Sequence, residues 1–156
     1  EFLREIDSIN LRARKRVIEL VRRDLSEDLK SKKIAVLGAA FKPDSDDLRD
    51  SPALDIAIQI QAAGANVVIH DPKAIEPARK RFPALNFASS IDEVLKDAEI
   101  VLHLTEWKIY REIDPVKAKS LVSKAIIIDG RNALDRNKWI DAGWQFRALG
   151  VSEKEA

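Results

Sequence analysis

Ile34-Ala35-Val36-Leu37-Gly38, then Ser51-Pro52 after a loop, then Asn66-Val67-Val68-Ile69-His70-Asp71-Pro72: these pieces decide the fold. The first is short, apolar and closed by glycine, the pattern of a strand buried on both faces. Ser51 suits a helix N-cap and Pro52 the first helical position. Leu54, Ile56, Ala57, Ile60 and Ala63 then recur at helical spacing, and Gly64 ends the segment. The third piece is a second strand. Residues 34–72 therefore make one strand–helix–strand unit.

The alternation continues downstream. A short helix is expected over 74–81, a short strand over 86–88, and a helix over 91–96 capped by Ser90. Strands follow over 100–104 and 125–129, the latter stopped by Gly130. A short helix over 138–142 and an edge strand over 145–147 close the pattern. This order predicts a doubly wound α/β fold with a mostly parallel sheet. Upstream, Phe2, Ile6, Ile9, Ala13, Val17, Leu20 and Leu25 repeat every three or four residues, and no Gly or Pro occurs over 1–30. This stretch reads as one long N-terminal helix, long enough to project beyond a small domain. Its apolar stripe calls for another segment of a parent chain or a second subunit. The expected division is 1–30, a helix for interdomain or dimer contact, and 31–156, the α/β domain.

At 156 residues, with 46% apolar and 34% charged side chains, the chain suits one globular domain. A net charge of +1 gives no reason to expect nucleic acid or an anionic membrane as partner. Any anion must be held by a few well-placed cations. With no Cys, disulfides, thiolate metal sites and Cys nucleophiles are excluded from this chain, and a cytoplasmic location is compatible. No apolar run of about 18 residues is present to span a membrane. The chain starts Glu1-Phe2-Leu3 and contains no Met, so it reads as a piece of something longer.

In such sheets ligands bind beyond the carboxyl ends of the strands. Residues 38–52, Asp71-Pro72, Thr105-Glu106-Trp107 and Asp129-Gly130-Arg131 fall there. The first loop opens like a phosphate-binding turn but has one glycine, Gly38, where a dinucleotide fingerprint needs three. It is no standard NAD-binding turn. It carries Lys42 and Arg49 among Asp44, Asp46, Asp47 and Asp50. Two fixed cations can neutralise a diphosphate, or they can simply pair with those carboxylates; charge pattern leaves both readings open. Asp71 stands where a ribose-binding carboxylate is expected, but without the glycines it reads better as a turn residue. Arg131 is a single loop cation, a ligand contact or merely solvated. His103 reads as a core or edge histidine, and His103 and His70 make no metal site at their spacing. Trp107, Trp139 and Trp144 can stack on a base, but buried packing is the default reading.

Residues 38–52, Gly-Ala-Ala-Phe-Lys-Pro-Asp-Ser-Asp-Asp-Leu-Arg-Asp-Ser-Pro, resemble the signature loop of the UDP-glucose/GDP-mannose dehydrogenase C-terminal domain. Val68-Ile69-His70-Asp71-Pro72, Leu104-Thr105-Glu106-Trp107 and Ile127-Ile128-Asp129-Gly130-Arg131-Asn132 resemble further motifs of that family, in the same order. The stretch 9–33 looks like the end of its long central helix. The resemblance covers nearly the whole chain and points to the UDP-glucose branch. It implies a Rossmann-like UDP-binding domain of an enzyme that oxidises UDP-glucose to UDP-glucuronate with two NAD+. Phe41, Lys42 and Arg131 would contact the UDP-sugar, and Arg49 the NAD pyrophosphate. Asp46 and Asp47 would orient the loop. The catalytic Cys and most of the NAD site would lie in the missing portions, leaving no catalytic residue here. The N-terminal NAD domain of the same chain and a second subunit would be partners. Tyr110, where the family often carries Phe, and His103, in a usually aliphatic strand, depart from the pattern. Alternatives are a stand-alone nucleotide-binding or dimerisation module, or a GDP-mannose or UDP-N-acetylhexosamine dehydrogenase relative.

Overall fold

The computed structural model describes residues 2–40, 42, 44, 46–48 and 50–149, with side chains from residue 11 onward. Four largely apolar stretches form mostly buried strands, β1 (Lys33–Leu37), β2 (Asn66–His70), β4 (Ile100–His103) and β5 (Ile126–Asp129), and a two-residue strand, β3 (Asn86–Phe87), is exposed at Asn86 and half-buried at Phe87. β6 (Gln145–Ala148) adds an edge. All pairings are parallel, in the order β3-β2-β1-β4-β5-β6. The centre of the sheet is β1, with Ile34 beside Val67 on one flank and Ile100 on the other. Ile34, Val36, Ile69, Ile100, Leu102, Ile127 and Ile128 are essentially inaccessible to solvent. Such two-sided burial explains why these strands do not alternate polar and apolar residues. The expected doubly wound, Rossmann-like fold is present, with a wholly parallel sheet.

Helices cover both faces. α1 (Phe2–Asp24) packs on α2 (Pro52–Ala62) and reaches β5. α3 (Ile75–Arg81) follows β2. α4 (Ile91–Leu95), α6 (Pro115–Leu121) and α7 (Arg136–Asp141) form the second row. With right-handed crossovers the two rows lie on opposite faces. Ser51 and Ser90 cap α2 and α4 through their side chains, as their sequence positions foretold.

Two local expectations need correction. The first helix ends at Asp24, not at residue 30. Ser26 and Glu27 turn into the left-handed region, and the Glu27 N–H closes the turn on the Arg22 carbonyl at 2.7 Å. Leu25 and Leu29 are buried beyond this turn. Their burial folds the segment back onto the domain and overrides a sequence with no helix breaker. The second correction is two unforeseen helices between β4 and β5. α5 (Lys108–Arg111) lacks a side-chain cap, whereas α6 starts with Asp114 accepting from the Val116 N–H and Pro115 in the first turn. The C-terminal half of α1 buries Val17, Leu20 and Val21 against its own domain, while Leu11 stays exposed. No described helix is long and apolar enough to cross a membrane.

Candidate functional site

The chain reverses direction across the sheet between β1 and β4, so a ligand crevice is expected beyond their carboxyl ends. In this protein that gap is closed by the chain itself. Gly38 has φ +111, and a Cβ there would lie 2.4 Å from Thr105 Oγ1. Thr105 is buried and donates its hydroxyl to the Ala40 carbonyl at 2.9 Å. The N–H groups of Ala39 and Ala40, which in a phosphate turn would face the ligand, both bind Asp71 Oδ2, at 2.8 and 3.0 Å. Asp71 Oδ1 takes the N–H groups of Lys73 and Ala74 at 2.9 and 2.8 Å. Both carboxylate oxygens are thus fully used by backbone donors. Asp71 is a turn residue, as its sequence context favoured, and has no oxygen left for a ribose. The β1 turn does not fit a dinucleotide pyrophosphate, which agrees with its missing glycines.

A second buried carboxylate stands at the end of β5. Asp129 Oδ1 accepts from His103 Nδ1 at 2.8 Å and from the Arg131 N–H at 3.0 Å. Its Oδ2 accepts from the N–H groups of Ala133 and Leu134 at 2.9 and 2.8 Å. Burial pushes the Asp129 carboxyl up, but the His103 hydrogen bond, the backbone donors and the His103 charge together hold it below its ordinary value. This ionised group wraps residues 130–134 around itself and sends the Arg131 side chain outward. Glu106 grips the guanidinium along one edge: Arg131 Nε donates to Glu106 Oε2, and Nη2 to Oε1 at 3.2 Å. The remaining N–H donors of the fork point away from that edge.

Arg131 forms one wall of a crevice with Arg14, Val17, Pro52, Ala53, Leu104 and Gly130. The crevice therefore lies between α1, the start of α2 and the ends of β4 and β5. Arg14, on its wall, donates to Asp55 Oδ2 at 3.2 Å and to the Asp50 carbonyl. The Arg14 position was missed in the sequence, since nothing in a helix rich in Arg and Glu marks it out. Glu106 was noticed there as part of a motif but given no task. Lys42 stands exposed in the loop after β1 and is not among the described residues that line this crevice. Phe41 and Arg49 lie outside the described residues. His103 is a fully buried core histidine, and Trp107, Trp139 and Trp144 are buried packing residues. Trp139 and Trp144 meet edge to face, with ring centres 4.9 Å apart.

Residues 35–136 match the model of the UDP-glucose/GDP-mannose dehydrogenase family, UDP binding domain. The chain belongs to that family. A UDP-glucose 6-dehydrogenase of Rhizobium meliloti (strain 1021) is 36% identical over 123 residues, 79% of this chain and 28% of that protein. This chain therefore spans less than a third of the length of that relative. Among solved structures, a UDP-glucose dehydrogenase from Pyrobaculum islandicum superposes with a TM-score of 0.78 at 25% identity, over 93% of this chain and 31% of that one. An NDP-N-acetyl-D-galactosaminuronic acid dehydrogenase from Methanosarcina mazei Go1 gives 0.75 at 28% identity, over 89% and 29%. In this chain, then, the doubly wound sheet superposes on those structures, and the turn after β1 is closed by Thr105 and Asp71.

Proposed function

We propose that the chain is the UDP-sugar-binding domain of an NAD-dependent UDP-glucose 6-dehydrogenase and that it does not catalyse oxidation alone. The observation carrying this reading is Arg131, held at its main chain by Asp129 and at its side chain by Glu106, on the wall of a crevice at the carboxyl rim. A guanidinium fixed in this way can present parallel N–H donors to a diphosphate with little further ordering cost. Lys42 and Phe41 add substrate contacts from the loop after β1. Arg49 reaches the pyrophosphate of NAD, which the missing N-terminal domain holds for the most part. In the whole enzyme UDP-glucose becomes UDP-glucuronate at the expense of two NAD+. α1 continues the central helix and supports a homodimer. A cytoplasmic location suits a cysteine-free domain that handles a nucleotide sugar.

Calorimetry with UDP and UDP-glucose at millimolar concentration tests the reading, with GDP as comparison. The parent should bind UDP weakly, because it supplies only part of the site, and Arg131→Ala or Lys42→Ala should weaken that binding about tenfold. Absence of UDP binding by the parent overturns it. In the full-length enzyme, Arg49→Ala should weaken NAD more than the UDP-sugar; equal losses contradict the role given to Arg49.

A further inference from the structure

We propose that His103 is a positioning residue for this site: it holds Asp129 so that residues 130–134 present Arg131 to the diphosphate. The proposal rests on the reading of Arg131 as a diphosphate contact. His103 sits at the end of β4 with no solvent exposure, and β4 pairs it directly with Asp129. The ionised carboxylate can only accept, so the proton between the two groups belongs to His103 Nδ1. The oxygen that accepts it is the same one that binds the Arg131 N–H. Without His103, Asp129 would be tied only to the loop it is meant to fix, and both could tilt together.

The histidine is itself immobilised. Its ring meets Tyr110 edge to face, with centres 5.9 Å apart. Tyr110 donates its hydroxyl to the His70 carbonyl at 2.9 Å and accepts from His70 Nδ1 at 2.8 Å. A chain of buried polar side chains thus runs from β2 through α5 and β4 to β5, directly beneath the rim. Stability alone does not call for it, since buried polar or charged pairs are often replaceable by apolar residues at no net cost. What apolar residues cannot supply is a fixed direction for the Asp129 oxygens.

The test uses the chain as it is and UDP as the probe. His103→Leu removes the donor at similar volume, His103→Asn restores a donor where Nδ1 was, and Arg131→Ala is the reference. Leu should weaken UDP binding about fivefold, less than removal of the Arg131 charge, and shift the Arg131 backbone amide resonance; Asn should reverse most of both changes. In the parent, the His103 nitrogen spectrum should show Nδ1 protonated. UDP binding within twofold of the parent for Leu, or an Asn variant as weak as Leu, overturns the proposal while Arg131→Ala still binds about tenfold more weakly. If Arg131→Ala binds like the parent, the diphosphate reading falls instead, and an unmoved Arg131 amide in the Leu variant refutes the positioning role separately. Should His103→Leu not fold, loss of binding in a folded His103→Asn variant, or an unprotonated Nδ1, refutes it.

Discussion

Two corners of the sheet share one plan and differ in one component. At the β1–β2 corner the Gly38 N–H bonds the His70 carbonyl at 2.8 Å, and Asp71 takes four backbone donors. At the β4–β5 corner the Gly130 N–H bonds the His103 carbonyl at 2.9 Å, and Asp129 takes three backbone donors and one imidazole. Asp71 ties two different loops together, and the corner is closed. Asp129 ties only its own loop, leaves the crevice beside it open, and relies on a side chain from the next strand for its anchor. The first arrangement seals the position where this fold commonly holds a dinucleotide. The second displays a cation.

The glycines should separate the corners most. Gly38→Ala adds a Cβ 2.8 Å from the Thr105 backbone nitrogen at a positive φ, and should cost about 3 kcal/mol or more. Gly130 has no such φ, and an added Cβ meets the flexible Leu104 methyl at 3.0 Å and the His103 carbonyl oxygen only at 3.3 Å; Gly130→Ala should cost about 1 kcal/mol. Equal costs in urea unfolding would break the contrast between a sealed and an open corner.

The carboxylates should separate them less. Asp71→Asn turns an NH2 group toward two fixed backbone donors wherever the amide points, and should cost about 2 kcal/mol. Asp129→Asn can turn its NH2 toward His103, which can switch tautomer and accept, so only the Arg131 N–H is left facing a donor. A cost of about 1 kcal/mol is expected by the same unfolding measurement. The reverse order would show that His103 offers no such adaptation.

The pH dependence should sharpen the comparison with smaller effects. Burial lowers the His70 pKa below its ordinary 6.5, with the Asp71 charge opposing. The unfolded chain therefore takes up this proton first, and the stability present above pH 6.5 is lost as pH falls toward the lowered value. Asp129 lies below its ordinary 3.8, so its contribution is present above that pH and is lost as pH falls through the lowered value. Urea unfolding across pH 8 to 3 should show His70→Asn flattening the upper limb and Asp129→Asn the lower. Identical profiles for the two variants would contradict separate titrations.

Much of this plan was legible in the chain. Apolar runs such as 34–37 and 126–128 announce buried strands, because a parallel sheet covered on both faces admits few polar side chains. Ser51-Pro52 announces a helix for the equally local reason of capping. The ending of α1 was not legible, since Leu25 and Leu29 stop it through burial in a core that the local sequence does not display. The Asp114-Pro115 start of α6 was present in the sequence and passed over; the one-turn α5 carried no comparable mark. At the site, Lys42 and Arg131 stood out as cations and the Asp residues as strand ends. Their partners did not, because Asp71 meets Ala39 across 32 residues and Arg131 meets Glu106 across 25. Those distances in sequence are bridged only by strand order.

The most direct test of the central claim is to titrate UDP into the isotopically labelled chain and follow every backbone amide. Shifts should concentrate at Ala53, Leu104, Gly130 and Arg131 and in the loop carrying Lys42, while Lys73 and Ala74 beside Asp71 stay still. Shifts centred elsewhere, for example on the α4–α6 groove at Leu95, Ile113 and Ala118, would contradict a diphosphate site at the β4–β5 corner.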